Sequence, residues 1–196
     1  MIPATRWAGI CGTVMVVTAG LSRQAEAAVI LNATKLGSNV VIAGSGSINT
    51  NGLSFGGSTT NVGSEVFPAI GTLLTGPVWP QNAGVYSGTI TSPANLGTGG
   101  LILASSGSGG LVGRPGNTGL ILVSQGYVSG TFFNTSSTYN NTTIAAMGLN
   151  PGTHVWSWGS GANADSITMN VIPEPSVPTV LCVGALSLLL HARRRK

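Results

Sequence analysis

The sequence predicts an all-β fold, a single β-sandwich-like domain, and three observations predict it. Short apolar or alternating runs recur through the middle of the chain, separated by Gly, Asn and Ser. Few stretches carry the i, i+3, i+4 spacing of an amphipathic helix. The separators are turn chemistry, as in Arg114-Pro115-Gly116-Asn117. Many short strands with this punctuation read as two stacked sheets around one core.

The first 27 residues stand apart from that pattern. Arg6 supplies a positive charge, residues 7–21 are mostly apolar and include Ile10, Val14, Met15, Val16 and Val17, and Ala25-Glu26-Ala27 forms an A-x-A site ahead of Ala28. This is the plan of a secretory signal peptide cut before Ala28. Arg23 and Glu26 add charge close to the cut. An uncleaved N-terminal anchor is the alternative on the same residues.

In the body, residues 28–172, the expected strands follow in order. Val29-Ile30-Leu31-Asn32 opens it, and Asn39-Val40-Val41-Ile42-Ala43 follows a Gly-Ser turn. Residues 61–67 and 85–91 are further candidates. Leu101-Ile102-Leu103-Ala104 and Leu120-Ile121-Leu122-Val123 are unbroken apolar runs, the pattern of strands covered on both faces. Residues 107–110 read as a turn. The last hairpin is the clearest element. In residues 153–158, His154, Trp156 and Trp158 share one face and Thr153, Val155 and Ser157 the other. Residues 165–171 alternate again, with Ile167, Met169 and Val171 on one side, and residues 159–164 connect the two strands. Trp156 and Trp158 are open to two readings: aromatic core, or, with His154, a stacking face for sugar rings.

The C-terminal two dozen residues have a three-part plan. Pro173-Glu174-Pro175 comes first, then an apolar run over residues 177–192, then Arg193-Arg194-Arg195-Lys196. As a helix the run would measure about 24 Å, short of the ~30 Å hydrocarbon core. The basic end would hold its side in the cytoplasm and place everything before residue 177 across the membrane. The prolines keep the approach extended and accessible. A plain membrane anchor on a proline-rich stalk has the same topology.

Pro-Glu-Pro, apolar helix and Arg-rich end, in that order at the terminus, resemble the PEP-CTERM sorting signal of Gram-negative bacteria. The resemblance implies export through the inner membrane, transient insertion of the tail, processing near Pro173, Glu174 and Pro175 by an exosortase, and delivery to the cell surface or extracellular matrix. The nucleophile belongs to the exosortase, so no catalytic residue of this chain follows from it. A second resemblance covers residues 127–172. Asn140-Asn141-Thr142-Thr143-Ile144, Pro151-Gly152-Thr153, Val155-Trp156-Ser157-Trp158-Gly159 and Ala164-Asp165-Ser166-Ile167-Thr168 are similar to a body carried ahead of such tails. It implies a β-sandwich ahead of such a tail, and no activity carries over from it.

The formal net charge of +4 comes from the two ends. Within the body the ionised residues are Lys35, Arg114, Glu65 and Asp165, which cancel. Two cations cannot neutralise a row of phosphates, which argues against nucleic acid as a partner. Cys11 lies in the leader and Cys182 in the tail, leaving the body no thiol for a disulfide or a zinc site. Glu65 with Asp165 as a carboxylate pair, or a Ser, His154 and Asp165 as a triad, exhaust the catalytic options, and no motif surrounds either. The expectation is therefore a non-enzymatic protein with no cofactor and no metal. Its expected partners are exosortase, the inner membrane, and exopolysaccharide or copies of itself. Asn32, Asn134, Asn140 and Asn141 head acceptor sequons of a kind that an Asn- and Thr-rich chain produces by chance.

Overall fold

The computed structural model describes residues 28–174. The expected leader, including Ala25 and Ala27, lies outside the described residues, as do Pro175, the apolar run and the basic end.

Fourteen strands make up the described chain. They are β1 (Ala28–Leu36), β2 (Asn39–Gly46), β3 (Ser54–Val62), β4 (Glu65–Phe67), β5 (Thr72–Thr75), β6 (Gln81–Ser87) and β7 (Ile90–Thr91), followed by β8 (Ile102–Leu103), β9 (Ser106–Gly109), β10 (Val112–Arg114), β11 (Leu120–Ser124), β12 (Phe133–Tyr139), β13 (Gly152–Trp158) and β14 (Asp165–Val171). They form two seven-stranded sheets, β7-β13-β14-β1-β2-β12-β9 and β3-β6-β11-β10-β5-β4-β8. The all-β prediction holds, and two sheets around a shared core are compatible with a sandwich. Among the described residues helix is confined to three-residue 3₁₀ turns, and no helix is long and apolar enough to cross a membrane.

The first sheet is built on β1 and β14, which run parallel with Leu31 opposite Met169 and Ala33 opposite Val171. The Ile172 amide extends this ladder to the Ala33 carbonyl at 3.0 Å. β1 turns through Gly37 and Ser38 into antiparallel β2, and β13 with β14 forms the expected hairpin. In the second sheet β11 lies between β6 and β10, and Ile121, Leu122 and Val123 are all buried, as their unbroken apolar run predicts. Leu31, Ile42, Leu73, Ile121, Trp156 and Met169 meet in one core drawn from both sheets.

Several strand expectations need correction. Residues 61–67 are interrupted at Gly63 and Ser64, where β3 ends and β4 begins. Residues 85–91 split at Gly88 and Thr89, and β6 and β7 belong to opposite sheets. The apolar run at 101–104 is not covered on both faces. β8 is a sheet edge, with Leu101 53% and Leu103 61% exposed. A short apolar run does not encode whether its strand has one neighbour or two. Residues 107–110 are mostly strand rather than turn, because β9 pairs with β12. At Gly107 glycine is needed for contact: a Cβ there would lie 1.9 Å from the Gly76 carbonyl oxygen.

A polar seam joins the sheets beside that contact. Thr75 of β5 and Ser137 of β12 are fully buried, with their hydroxyls 2.9 Å apart. The Gly76 amide donates to Ser137 Oγ at 3.0 Å, and Thr135 Oγ1 donates to Thr75 Oγ1 at 3.4 Å. Removing Ser137 Oγ would leave a buried amide and a buried hydroxyl short of a partner. Ser137→Ala is expected to lower unfolding stability by about 1–3 kcal/mol. It should read as a shifted urea midpoint with unchanged slope. Ser136→Ala, on the other face of β12, should change stability by less than about 0.5 kcal/mol.

Candidate functional site

The aromatic strand of β13 resolves to core. Trp156 is 1% and Trp158 3% exposed, and the Trp158 indole N–H donates to the Asn49 carbonyl at 3.1 Å. His154, half-buried on the same face, places Nε2 3.0 Å from the Asn150 carbonyl. The solvent-facing side of β13 is Thr153, Val155 and Ser157. The sugar-stacking reading of His154, Trp156 and Trp158 is therefore corrected. Alternation fixes which residues share a face, and the bulk of two indoles turns that face inward.

The catalytic combinations do not assemble either. Asp165 is buried and accepts from its neighbour's amide, Ser166 N, at 2.6 Å, and from Asn49 N at 2.5 Å. The first is a local bond at the start of β14; the second ties β14 to the 3₁₀ turn at Thr50–Gly52. In the β13–β14 ladder Asp165 pairs with Trp158 and His154 with Met169. Four residues of strand separate the two pairs, about 13 Å. Asp165 and Glu65 line different cavities, of about 740 and 580 Å³. Among the described residues no group of three His, Cys, Asp or Glu side chains could hold a metal ion.

Of the tail motif, Pro173 and Glu174 are described, and both are exposed. Glu174 Oε1 accepts the Ile144 amide at 2.9 Å, at the start of a turn in which Thr143 Oγ1 accepts from Ala146 N. Lys35 reaches the same loop, its Nζ donating to the Thr142 carbonyl at 2.8 Å. Pro173 and Glu174 thus follow β14 closely, and the Glu174 carboxylate contacts the body. Ala28, expected to be the first residue after leader cleavage, is the first described residue and lies in β1.

The sequence missed the smaller of the two cavities. A cross-strand row of Leu103, Glu65 and Leu74, from β8, β4 and β5, lines it. Val78 and Trp79 of the loop after β5 line it as well, and Trp79 is 61% exposed. Asn61 and Ser105 add an amide and a hydroxyl. Burial beside two leucines pushes the Glu65 carboxyl above its usual range. Behind it, the Tyr139 hydroxyl is buried with no hydrogen-bond partner and is pushed strongly up, by burial first and by the Glu65 charge second. One signal was available in the sequence: a tryptophan between Pro77 and Pro80 belongs to a loop, and loops lie on the surface.

Two outcomes follow. Trp156→Ala is expected to cost about 3–5 kcal/mol of stability in urea unfolding, as a large core deletion does. For Glu65, the folded state holds its proton more tightly than the unfolded state, so this group's contribution falls as pH rises from the ordinary value of 4.5 through the raised one. Glu65→Gln is therefore expected to melt higher than wild type at neutral pH. The difference should close below about pH 4, where both side chains are neutral.

No protein-family model matches the chain, and neither a curated protein nor a solved structure matches it.

Proposed function

We propose that the chain is an exported surface or extracellular-matrix protein, processed by an exosortase, whose body has a non-catalytic, exopolysaccharide-associated role. The observation that carries the reading is the placement of Pro173 and Glu174. They are exposed, and they follow the last strand at once, after a ladder that ends at Ile172. An enzyme acting at this point would reach the motif without unfolding a sheet. Also in favour are the order of tripeptide, apolar run and basic end, and a body whose four ionised side chains sum to zero. Neutral, hydroxyl-rich surface suits contact with glycan or with further copies of the chain better than contact with a polyanion.

Mass spectrometry of the extracellular fraction tests the reading. The mature form is expected to begin at or near Ala28 and to lack Arg193, Arg194, Arg195 and Lys196. A surface form that retains those four residues would contradict it. Replacing Pro173, Glu174 and Pro175 by alanine is expected to leave the protein in the inner membrane with its tail attached. Insertion depends on apolar length and the basic end, which are unchanged. Glu174→Gln refines the result, since it keeps an acceptor for the Ile144 amide and removes the charge. Processing lost in this variant would place recognition on the carboxylate, and processing retained would place it on the Pro-x-Pro backbone.

A further inference from the structure

The loop that carries Trp79 is tied down while its largest side chain stays in solvent. Buried Ser64 sets its hydroxyl against the Gly76 carbonyl and, at 2.9 Å, the Pro77 carbonyl, and its amide donates to Pro77 at 3.1 Å. Gln81 Nε2 donates to the Val78 carbonyl at 3.0 Å. The backbone of β4's approach presses on the loop so closely that a Cβ at Gly63 would lie 2.3 Å from the Trp79 amide nitrogen. Scattered exposed aromatics are ordinary on protein surfaces. One at the mouth of a cleft, on a loop whose backbone is already held, is not, because the ordering of that loop is complete before any ligand arrives.

The cleft's chemistry narrows the ligand. Its volume of about 580 Å³ falls in the usual range for small-ligand sites. The indole and the Val78 and Leu103 side chains supply apolar surface. Glu65, Asn61 and Ser105 supply acceptors and donors around it. No cation is among the lining residues, so an anionic ligand would find no opposite charge there and would meet the Glu65 carboxyl. A neutral sugar ring has an apolar C–H face that stacks on an indole and a rim of hydroxyls for carboxylate, amide and hydroxyl partners. A peptide added to the sheet edge fits less well, because the edge strand here, β8, is two residues long and offers little ladder.

We propose that this cleft binds a neutral oligosaccharide, with Trp79 as the stacking platform and Glu65, Asn61 and Ser105 as partners of its hydroxyls. The proposal deepens the exopolysaccharide-associated role above and rests on that part of it. It is independent of how the chain is sorted.

The test uses the full chain, purified in a sugar-free zwitterionic detergent so that no glycoside headgroup competes. A glycan array spanning neutral α- and β-linked hexose and N-acetylhexosamine oligomers identifies the tightest ligand, and titration calorimetry measures it. Wild type is expected to retain at least one neutral oligomer. Trp79→Ala is expected to weaken it about tenfold or more at an unchanged melting temperature, as removal of a stacking ring does. Glu65→Gln is expected to weaken it as well. Phe132→Ala, an exposed aromatic outside the cleft, should bind as wild type does. Folded wild type that retains no neutral glycan would overturn the proposal. So would equal binding by Trp79→Ala, or capture of peptides in place of glycans on a parallel peptide array. Because binding is read on purified protein, its failure leaves the processing result standing, and a failure of processing leaves the cleft standing.

Discussion

The two sheets depend on a short chain of buried hydroxyls for their alignment. Apolar burial holds them together but is non-directional, so it fixes neither the offset nor the angle between them. Thr135, Thr75 and Ser137 supply the direction, and the Gly76 amide joins them. Ser64 continues the line by bonding the Gly76 and Pro77 carbonyls. Thr135, Thr75, Ser137 and Ser64 are all buried, which makes each bond among them stronger and each loss more expensive. The line starts on the inner face of β12 and ends under Trp79. The same contacts that register the sheets therefore set the position of the loop at the cleft, linking packing directly to the candidate site.

That seam also explains what the sequence conveyed and what it concealed. Residues 120–123 and the β13–β14 hairpin were legible because their side chains carry their burial openly, as unbroken aliphatics or strict alternation. β12 was not. Its inner positions, 133, 135, 137 and 139, are Phe, Thr, Ser and Tyr, and hydroxyls on a core face do not register as a hydrophobic period. Thr72–Thr75 escaped for a related reason, since four buried residues with threonine at both ends show no alternation. The parallel pairing of β1 with β14 joins the two ends of the body, and nothing local encodes so distant a neighbour. At the site, the aromatic face of β13 was read correctly as a face, while its direction was settled by packing. Trp79 carried the opposite signal, a lone ring among prolines with no periodicity.

Scarcity of charge shapes what this surface can do. Of the body's cations, Arg114 is 4% exposed and bonds Asn117 Oδ1 at 3.3 Å, with its Nε unpartnered. Burial lowers its pKa and keeps its guanidinium from direct contact with a polyanion. Lys35 is spent on the Thr142 carbonyl and Glu174 on the Ile144 amide, both on the loop that leads into β13. Glu65 alone turns a carboxyl into a cavity bordered by an exposed ring. Long-range electrostatic steering is thus weak, and recognition rests on shape, stacking and hydroxyl chemistry.

Backbone amide hydrogen exchange on the folded chain tests the central claim most directly, namely that the Trp79 loop is locked to the inter-sheet seam. The Gly76 and Ser64 amides, bonded to Ser137 Oγ and the Pro77 carbonyl, are predicted to exchange as slowly as those of β11 and to lose that protection together in Ser137→Ala. Exchange at Gly76 and Ser64 as fast as in the exposed 3₁₀ turn at Gly161–Asn163, with β11 still protected, would contradict it.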